Sequence, residues 1–84
     1  MAPPDEALLR LLLELDEGEG VALTRLAKRL DERVSVLLRR CTALSDAVIG
    51  GVAGPGWLRL QCDDAGRWVA WPTPAGRAVL GEPS

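Results

Sequence analysis

The sequence predicts one α+β domain, mainly helical, in which a three-helix bundle is followed by a two-stranded β ribbon and a short C-terminal helix. Three observations support this fold class. Apolar residues recur at helical spacing through the first half of the chain. Two β-prone runs then flank a turn-rich segment, and a Thr-Pro pair near the C-terminus is typical of a helix start. Since 84 residues that are 48% apolar can enclose one modest core, residues 1–84 are expected to form one domain.

The first element is predicted to be a helix over about residues 5–17. Asp5 and Glu6 suit the positive end of its dipole, and Gly18 follows its end. Its leucines cover an arc of roughly 200°, about twice the apolar stripe that a helix needs to face one core. The excess face is expected either to pack on a second copy of the chain, giving a homodimer through helix 1, or to be covered by the later ribbon and terminal helix.

Two helices joined by a short turn are predicted over about residues 24–47. Thr24 is a candidate N-cap for the first of them, because its hydroxyl can accept a hydrogen bond from an otherwise unpaired backbone N–H. Residues 31–33 have the length of a tight helix-to-helix turn, and the next helix is expected over about residues 34–46. Apolar residues at helical spacing should form the buried sides of both helices: Leu23, Leu26, Ala27, Leu30, Val34, Leu37, Cys41 and Leu44.

The β ribbon, or wing, is predicted over about residues 57–71. Residues 48–56 before it are apolar and rich in glycine, which indicates a partly packed loop. The runs 57–62 and 67–71 are β-prone, and residues 63–66 between them have the length and composition of a hairpin loop.

The chain is predicted to end in a short helix over about residues 74–80. Thr73 provides its N-cap, Pro74 suits the first helical position, and Gly81 stops the helix. Residues 82–84 are expected to form a frayed tail.

Composition excludes several classes of protein. The chain has no histidine, no nucleophile beside a base and no glycine-rich phosphate loop after a strand, so neither catalysis nor a cofactor is expected. Cys41 and Cys62 lie far apart within apolar patterns, so both are expected to be buried, without a metal site or a disulfide. No signal peptide is recognisable and no apolar run approaches the roughly 20 residues that span a bilayer, so a cytoplasmic protein without a membrane partner is expected.

The net charge is −2, but the charges are unevenly distributed. Residues 1–20 contain six acidic side chains against Arg10. Residues 24–40 contain six basic side chains against two acidic ones. An acidic front is therefore followed by a basic middle, and the basic middle is the part suited to a nucleic acid.

Three segments of the sequence carry a family resemblance. They are Leu23-Thr24-Arg25-Leu26-Ala27-Lys28-Arg29-Leu30, the stretch from Ser35 to Leu44 with its arginine pair, and Thr73-Pro74-Ala75-Gly76-Arg77-Ala78-Val79-Leu80. In this order and spacing the chain resembles the winged helix-turn-helix family of bacterial transcription regulators, including the small MarR-type regulators. The segments resemble the family's positioning helix, its recognition helix and the helix after its wing, and the resemblance covers most of the chain.

The resemblance implies a sequence-specific DNA-binding protein, a bacterial transcription regulator that inserts helix 34–46 into the major groove of double-stranded DNA. A helix fits this groove, and its first two turns approach base edges while flanking cations meet phosphates. Ser35, Val36 and Arg39 are the candidates for base edges. The candidates for phosphate contacts are Arg40, Arg33, Arg25, and either Lys28 or Arg29. Arg67 is the candidate for the contact that the wing makes with the minor groove or the backbone. A homodimer would present two such helices to a short inverted repeat.

Other features favour a different partner. Asp31 and Glu32 in the turn, and two more acids at the wing tip, would repel phosphate, so a monomer is expected to bind DNA weakly. Trp71 or Trp57 is the first candidate for a protein contact, unless loops cover all three tryptophans. Together with the net charge and the leucine-rich first helix, these residues favour the alternative of a winged-helix module for protein–protein interaction or oligomerisation without DNA binding.

Overall fold

Four helices and two small antiparallel sheets make up the part of the chain that the computed structural model describes, residues 1–82. The α+β class is confirmed, but the helices hold fewer than half of these residues, so the prediction of a mainly helical chain was too strong. Within the predicted tail, Pro83 and Ser84 lie outside the described residues. The elements are α1 (Pro3–Leu15), β1 (Val21–Ala22), α2 (Leu23–Leu30), α3 (Val34–Leu44), β2 (Val48–Ile49), β3 (Val52–Ala53), β4 (Leu58–Cys62), β5 (Trp68–Pro72) and α4 (Pro74–Val79).

The larger sheet has three strands in the order β1-β5-β4, where the sequence predicted a ribbon of two. β4 and β5 pair antiparallel, with Leu58 opposite Pro72, as expected for the predicted hairpin. β1 extends the sheet on the other edge of β5, with Val21 opposite Ala70. The extra strand was missed because two residues carry too little β signal and their partner lies far along the chain.

Gly20 allows β1 to approach β5. Its φ is +78°, and a Cβ at this position would lie 2.6 Å from a ring carbon of Trp71 and 2.7 Å from Cγ1 of Val69. The Gly20 N–H donates a hydrogen bond of 2.9 Å to the Asp16 carboxylate, which holds the turn after α1. A residue without a side chain is therefore needed at the start of β1.

The core lies between the helices and one face of the three-stranded sheet. Leu11 and Leu13, on the flanks of the leucine arc of α1, are half-buried and pack against this core, and α1 contacts both α2 and β5. The wide arc is thus covered largely within one chain, which removes the observation that suggested a homodimer through helix 1. The buried apolar residues are Leu8, Leu9, Leu12, Leu15, Val21, Leu23, Leu26, Ala27, Leu37, Cys41, Leu44, Leu58, Ala70 and Leu80.

The turn between α2 and α3 has the predicted length, with two differences at the helix starts. α2 begins at Leu23 without a side-chain cap, so the prediction of Thr24 as N-cap is wrong; β1 runs directly into the helix. Asp31 ends α2 in the left-handed region with φ +54°, and the Glu32 N–H donates a 2.9 Å hydrogen bond to the Ala27 carbonyl. Val34, predicted to be buried, is 38% exposed in the first turn of α3.

Residues 48–56 contain a small β-hairpin where the sequence predicted a loop. β2 and β3 pair with Val48 opposite Ala53 and Ile49 opposite Val52. Gly50 and Gly51 connect them with φ values of +59° and +82°, the signs that a two-residue type I′ turn requires. The paired backbone continues at the base of the hairpin, where the Gly54 N–H donates a 3.0 Å hydrogen bond to the Ala47 carbonyl.

α4 begins as predicted at Thr73 and Pro74. The Thr73 hydroxyl accepts a hydrogen bond of 3.1 Å from the Gly76 N–H and donates one of 2.7 Å to the Gly56 carbonyl. The predicted N-cap is therefore confirmed, and the same side chain ties the start of α4 to the segment before β4. No helix within residues 1–82 has both the length and the apolar character needed to cross a membrane.

Candidate nucleic-acid interface

The first turns of α3 carry exposed side chains. Ser35 and Arg39 lie one turn apart and are exposed, whereas Val36 is half-buried. They are opposite to Leu37 and Cys41, which face the core. Among residues 1–82, neither the Ser35 hydroxyl nor the Arg39 guanidinium has a hydrogen-bond partner within the protein, so both can contact a ligand.

The predicted phosphate-binding cations of α2 also lie in solvent. Arg25, Lys28 and Arg29 are exposed on the side of α2 opposite to its buried apolar residues. Arg33, directly before α3, is exposed as well. In the described part of the chain none of the four forms an ion pair, although Asp31 and Glu32 are exposed nearby in the turn. Their charges are therefore available to an external anion.

Arg40 has a different environment from the other cations of this region. It is half-buried, and its Nη2 donates a hydrogen bond of 2.7 Å to the carbonyl of Pro4 in the first turn of α1. This hydrogen bond links α3 to α1. Sequence reasoning could not identify this link, because its two residues lie at opposite ends of the helical region.

The tip of the β4–β5 hairpin is closed by a carboxylate. Asp63 accepts hydrogen bonds from the N–H groups of Ala65 at 2.9 Å and Arg67 at 2.8 Å, and from Arg67 Nε at 3.1 Å. The backbone hydrogen bond from Arg67 lowers the pKa of Asp63 most, with further contributions from Ala65 and the Arg67 charge. Asp63 is thus the closing residue of the turn, and Arg67, whose side chain is 73% exposed, projects from the tip as part of an ion pair.

The outer face of the sheet holds a cation that the sequence analysis did not select. The Arg59 guanidinium lies 4.8 Å from the centre of the Trp71 ring, in the geometry of a cation–π contact. Trp71 and Trp57 are half-buried, and Trp68 is the most open tryptophan at 37% exposed, so loops do not cover all three completely. The antiparallel register places Arg59 directly opposite Trp71, which a register drawn from the sequence would have indicated.

The two cysteines differ in environment. Cys41 is buried, and its burial raises the pKa of the thiol to about 11, so the group stays protonated at neutral pH. Cys62, predicted to be buried, is exposed at the end of β4. Within residues 1–82, no three cysteine or acidic side chains come together as ligands for a metal ion.

Comparison with known proteins gives one informative similarity. No family model matches the chain, and no curated protein matches it. A crystal structure from Ralstonia eutropha JMP134, solved at 1.70 Å and described as "a putative DNA-binding protein", is 26% identical in sequence and superposes with a TM-score of 0.71. The similarity covers 96% of this chain and 94% of the Ralstonia protein. The chain is therefore similar in fold to that protein over nearly the whole length of both.

Proposed function

We propose that the protein is a winged helix-turn-helix DNA-binding protein that acts in bacterial transcriptional control in the cytoplasm. The observation that carries the proposal is a set of unpaired cations on α2 and at the start of α3, next to the exposed Ser35 and Arg39. The order of elements and the sheet order β1-β5-β4 support it, as does the similarity to the Ralstonia protein. In this proposal α3 is the recognition helix and the β4–β5 hairpin is the wing.

The dimensions of α3 suit this role. Its 11 residues give a length of about 16 Å, which the major groove, about 12 Å wide, accommodates when the helix enters by its first turns. Arg39 would donate two hydrogen bonds to a guanine, Ser35 would bind a base edge, and Val36 would contact a thymine methyl. The phosphate contacts would come from Arg25, Lys28, Arg29, Arg33 and Arg40, and the wing contact from Arg67.

A fluorescence-anisotropy titration with random duplex DNA at low and moderate salt tests the proposal. The wild type should bind at low salt with an affinity that falls steeply as salt rises. Arg33→Ala should weaken binding to all sequences and reduce the slope of log affinity against log salt by about 1. On a duplex selected for tight binding, Arg39→Ala should cost about 1–3 kcal/mol and relax the preference at one base pair.

Arg10→Ala is the matched control, since Arg10 is an exposed helical arginine of α1 whose charge is already paired with Glu6 at 2.9 Å. It should leave affinity nearly unchanged. Failure of the wild type to bind at low salt, or an equal loss in the Arg10 variant, would contradict DNA binding through α2 and α3.

A protein-binding module without DNA binding is the second candidate. It is favoured by the exposed apolar residues Val48, Ile49 and Val52 and by the net charge of −2. The same titration separates the two candidates, because a module of this kind would show no salt-dependent affinity for duplex DNA.

A further inference from the structure

Trp68 is the most exposed aromatic residue among residues 1–82 and lies at the end of β5 nearest the hairpin tip. Along the face of the sheet that packs on the core, burial decreases toward this tip. Ala70 is fully buried, whereas Trp68, two residues closer to the tip, is 37% exposed. Its directly opposed partner on β4 is Cys62, a small residue that is exposed as well. Part of the indole ring therefore lies in water beyond the edge of the core.

Trp68 also lies close to the start of α2. β1 pairs with β5 through Ala22 opposite Val69. The next residue of β5 toward the tip is Trp68, and on the other side the chain continues into Leu23, the first residue of α2. α2 contacts β5 directly as well. The ring is thus near the first turn of α2, where Arg25 is exposed and, within the described chain, forms no ion pair.

The charges of the β4–β5 tip do not favour a contact with phosphate. Between Cys62 and Trp68 the tip carries two acids, Asp63 and Asp64, against Arg67, and Arg67 Nε is bound to the Asp63 carboxylate at 3.1 Å. A firm contact between this hairpin and DNA therefore needs an uncharged group as well. In the described chain, Trp68 is the only exposed large apolar residue of the hairpin.

An indole ring close to free cations matches the chemistry of a DNA strand. Deoxyribose presents apolar C–H groups between successive phosphates, so a strand can pack a sugar on the ring while its phosphates meet Arg25 and the other cations of α2. A ring flanked by cations suits a ligand in which apolar and anionic groups alternate. An apolar protein surface has no such alternation and would leave the cations unused.

We propose that Trp68 is a DNA-contact residue of the wing, which packs its exposed ring on a deoxyribose of the strand whose phosphates α2 binds. This inference rests on the proposed function and adds an uncharged contact to the cations of α2, α3 and Arg67. Because the ring carries no charge, its contact with DNA releases no counterion. Trp68 should therefore contribute to affinity without contributing to its salt dependence.

The anisotropy titration with random duplex DNA tests this contact when it is extended to variants of Trp68. Trp68→Ala should weaken binding by about tenfold at each salt concentration and leave the slope of log affinity against log salt unchanged. Trp68→Phe should recover part of the loss, because it keeps an aromatic ring. Val79→Ala is the control, since it removes an exposed apolar side chain from α4, and it should bind like the wild type. Circular dichroism checks that each variant is folded.

Cys62 provides a second readout in the wild-type chain, which does not depend on the folding of a variant. It is exposed and lies opposite Trp68, whereas Cys41 is buried. The uncharged reagent iodoacetamide should therefore alkylate Cys62 first, and saturating duplex DNA should slow this reaction by at least about fivefold.

The outcomes separate this inference from the proposed function. If the wild type does not bind duplex DNA at low salt, the proposed function fails and the role of Trp68 fails with it. If the wild type binds, the role of Trp68 alone is overturned by equal affinity of Trp68→Ala, by a changed salt slope in that variant, by an equal loss in Val79→Ala, or by unchanged alkylation of Cys62. Trp68-dependent binding of single-stranded DNA without binding of duplex would also overturn it.

Discussion

The two hairpins of this chain differ in the burial of their strands and in the groups that close their turns. In β4–β5 the strands rest on the core, where Leu58 is 1% exposed and Ala70 is fully buried, and a third strand pairs with β5. Its turn is closed by hydrogen bonds to the Asp63 carboxylate. In β2–β3 all four strand residues are exposed, and the turn is closed by two glycines.

The two hairpins therefore differ in what stabilises them. The β4–β5 hairpin is held by burial, so its apolar residues contribute to the stability of the monomer. The β2–β3 hairpin is held by its backbone pairing and its turn and leaves its apolar residues in water, where a two-stranded unit is marginally stable. Those residues therefore contribute little to the stability of the folded chain.

The largest expected difference between the hairpins is in stability. Leu58→Ala should lower the free energy of unfolding by about 2–5 kcal/mol, because it leaves a cavity in the core. Ile49→Ala should change it by less than about 0.5 kcal/mol, since more than half of that residue is already exposed. Urea unfolding measures both free energies. A similar loss in the two variants would show that the side chains of β2–β3 stabilise the fold as much as those of β4–β5 do.

The third strand gives the next largest effect. Gly20→Ala should destabilise the protein by about 2–3 kcal/mol, because alanine is strained at the positive φ of this position and its Cβ would clash with Trp71 and Val69. Gly18→Ala is the matched control, since Gly18 also has a positive φ, of +98°, but has open space around its Cβ position. Thermal unfolding of both variants isolates the cost of the clash. Equal losses would mean that β1 does not need its close approach to β5.

The features predicted from the sequence are those encoded by local signals. The faces of α2 follow from apolar spacing, the cap at Thr73 from a Thr-Pro pair, and the β4–β5 hairpin from a turn segment between two β-prone runs. The β2–β3 hairpin was also accessible, because Gly50-Gly51 between two apolar pairs is a hairpin signature that glycine richness obscured.

The features that were missed depend on partners far along the chain. β1 is a strand only because β5 is beside it, and Arg40 binds the carbonyl of Pro4 only because α1 packs near α3. Trp71 is sheltered because Arg59 lies opposite in the register. At the candidate site, helical spacing was enough to predict that Ser35 and Arg39 are exposed, but it could not predict which neighbouring arginine was already bound within the protein.

The smallest expected effect is a pH-dependent loosening of the β4–β5 turn. The hydrogen bonds that hold Asp63 lower its pKa below the ordinary value of 3.8, so the folded turn binds its proton less readily than the unfolded chain does. The turn is therefore fully stabilised above the unfolded pKa, and this contribution is lost as the pH falls through the lower folded pKa. Backbone NMR between neutral pH and pH 2 should show the amide signals of Ala65 and Arg67 shifting together below about pH 4.

The β2–β3 hairpin provides the internal reference for this titration, because no residue from Ala47 to Gly56 titrates in the acid range and the signals of Gly50 and Gly51 should stay in place. Asp63→Ala should give the low-pH positions of the Ala65 and Arg67 signals already at neutral pH, whereas Asp64→Asn should preserve the wild-type titration. If the amide signals of both turns shifted at the same pH, the cause would be general acid unfolding. The Asp63 carboxylate would then not be what closes the β4–β5 turn.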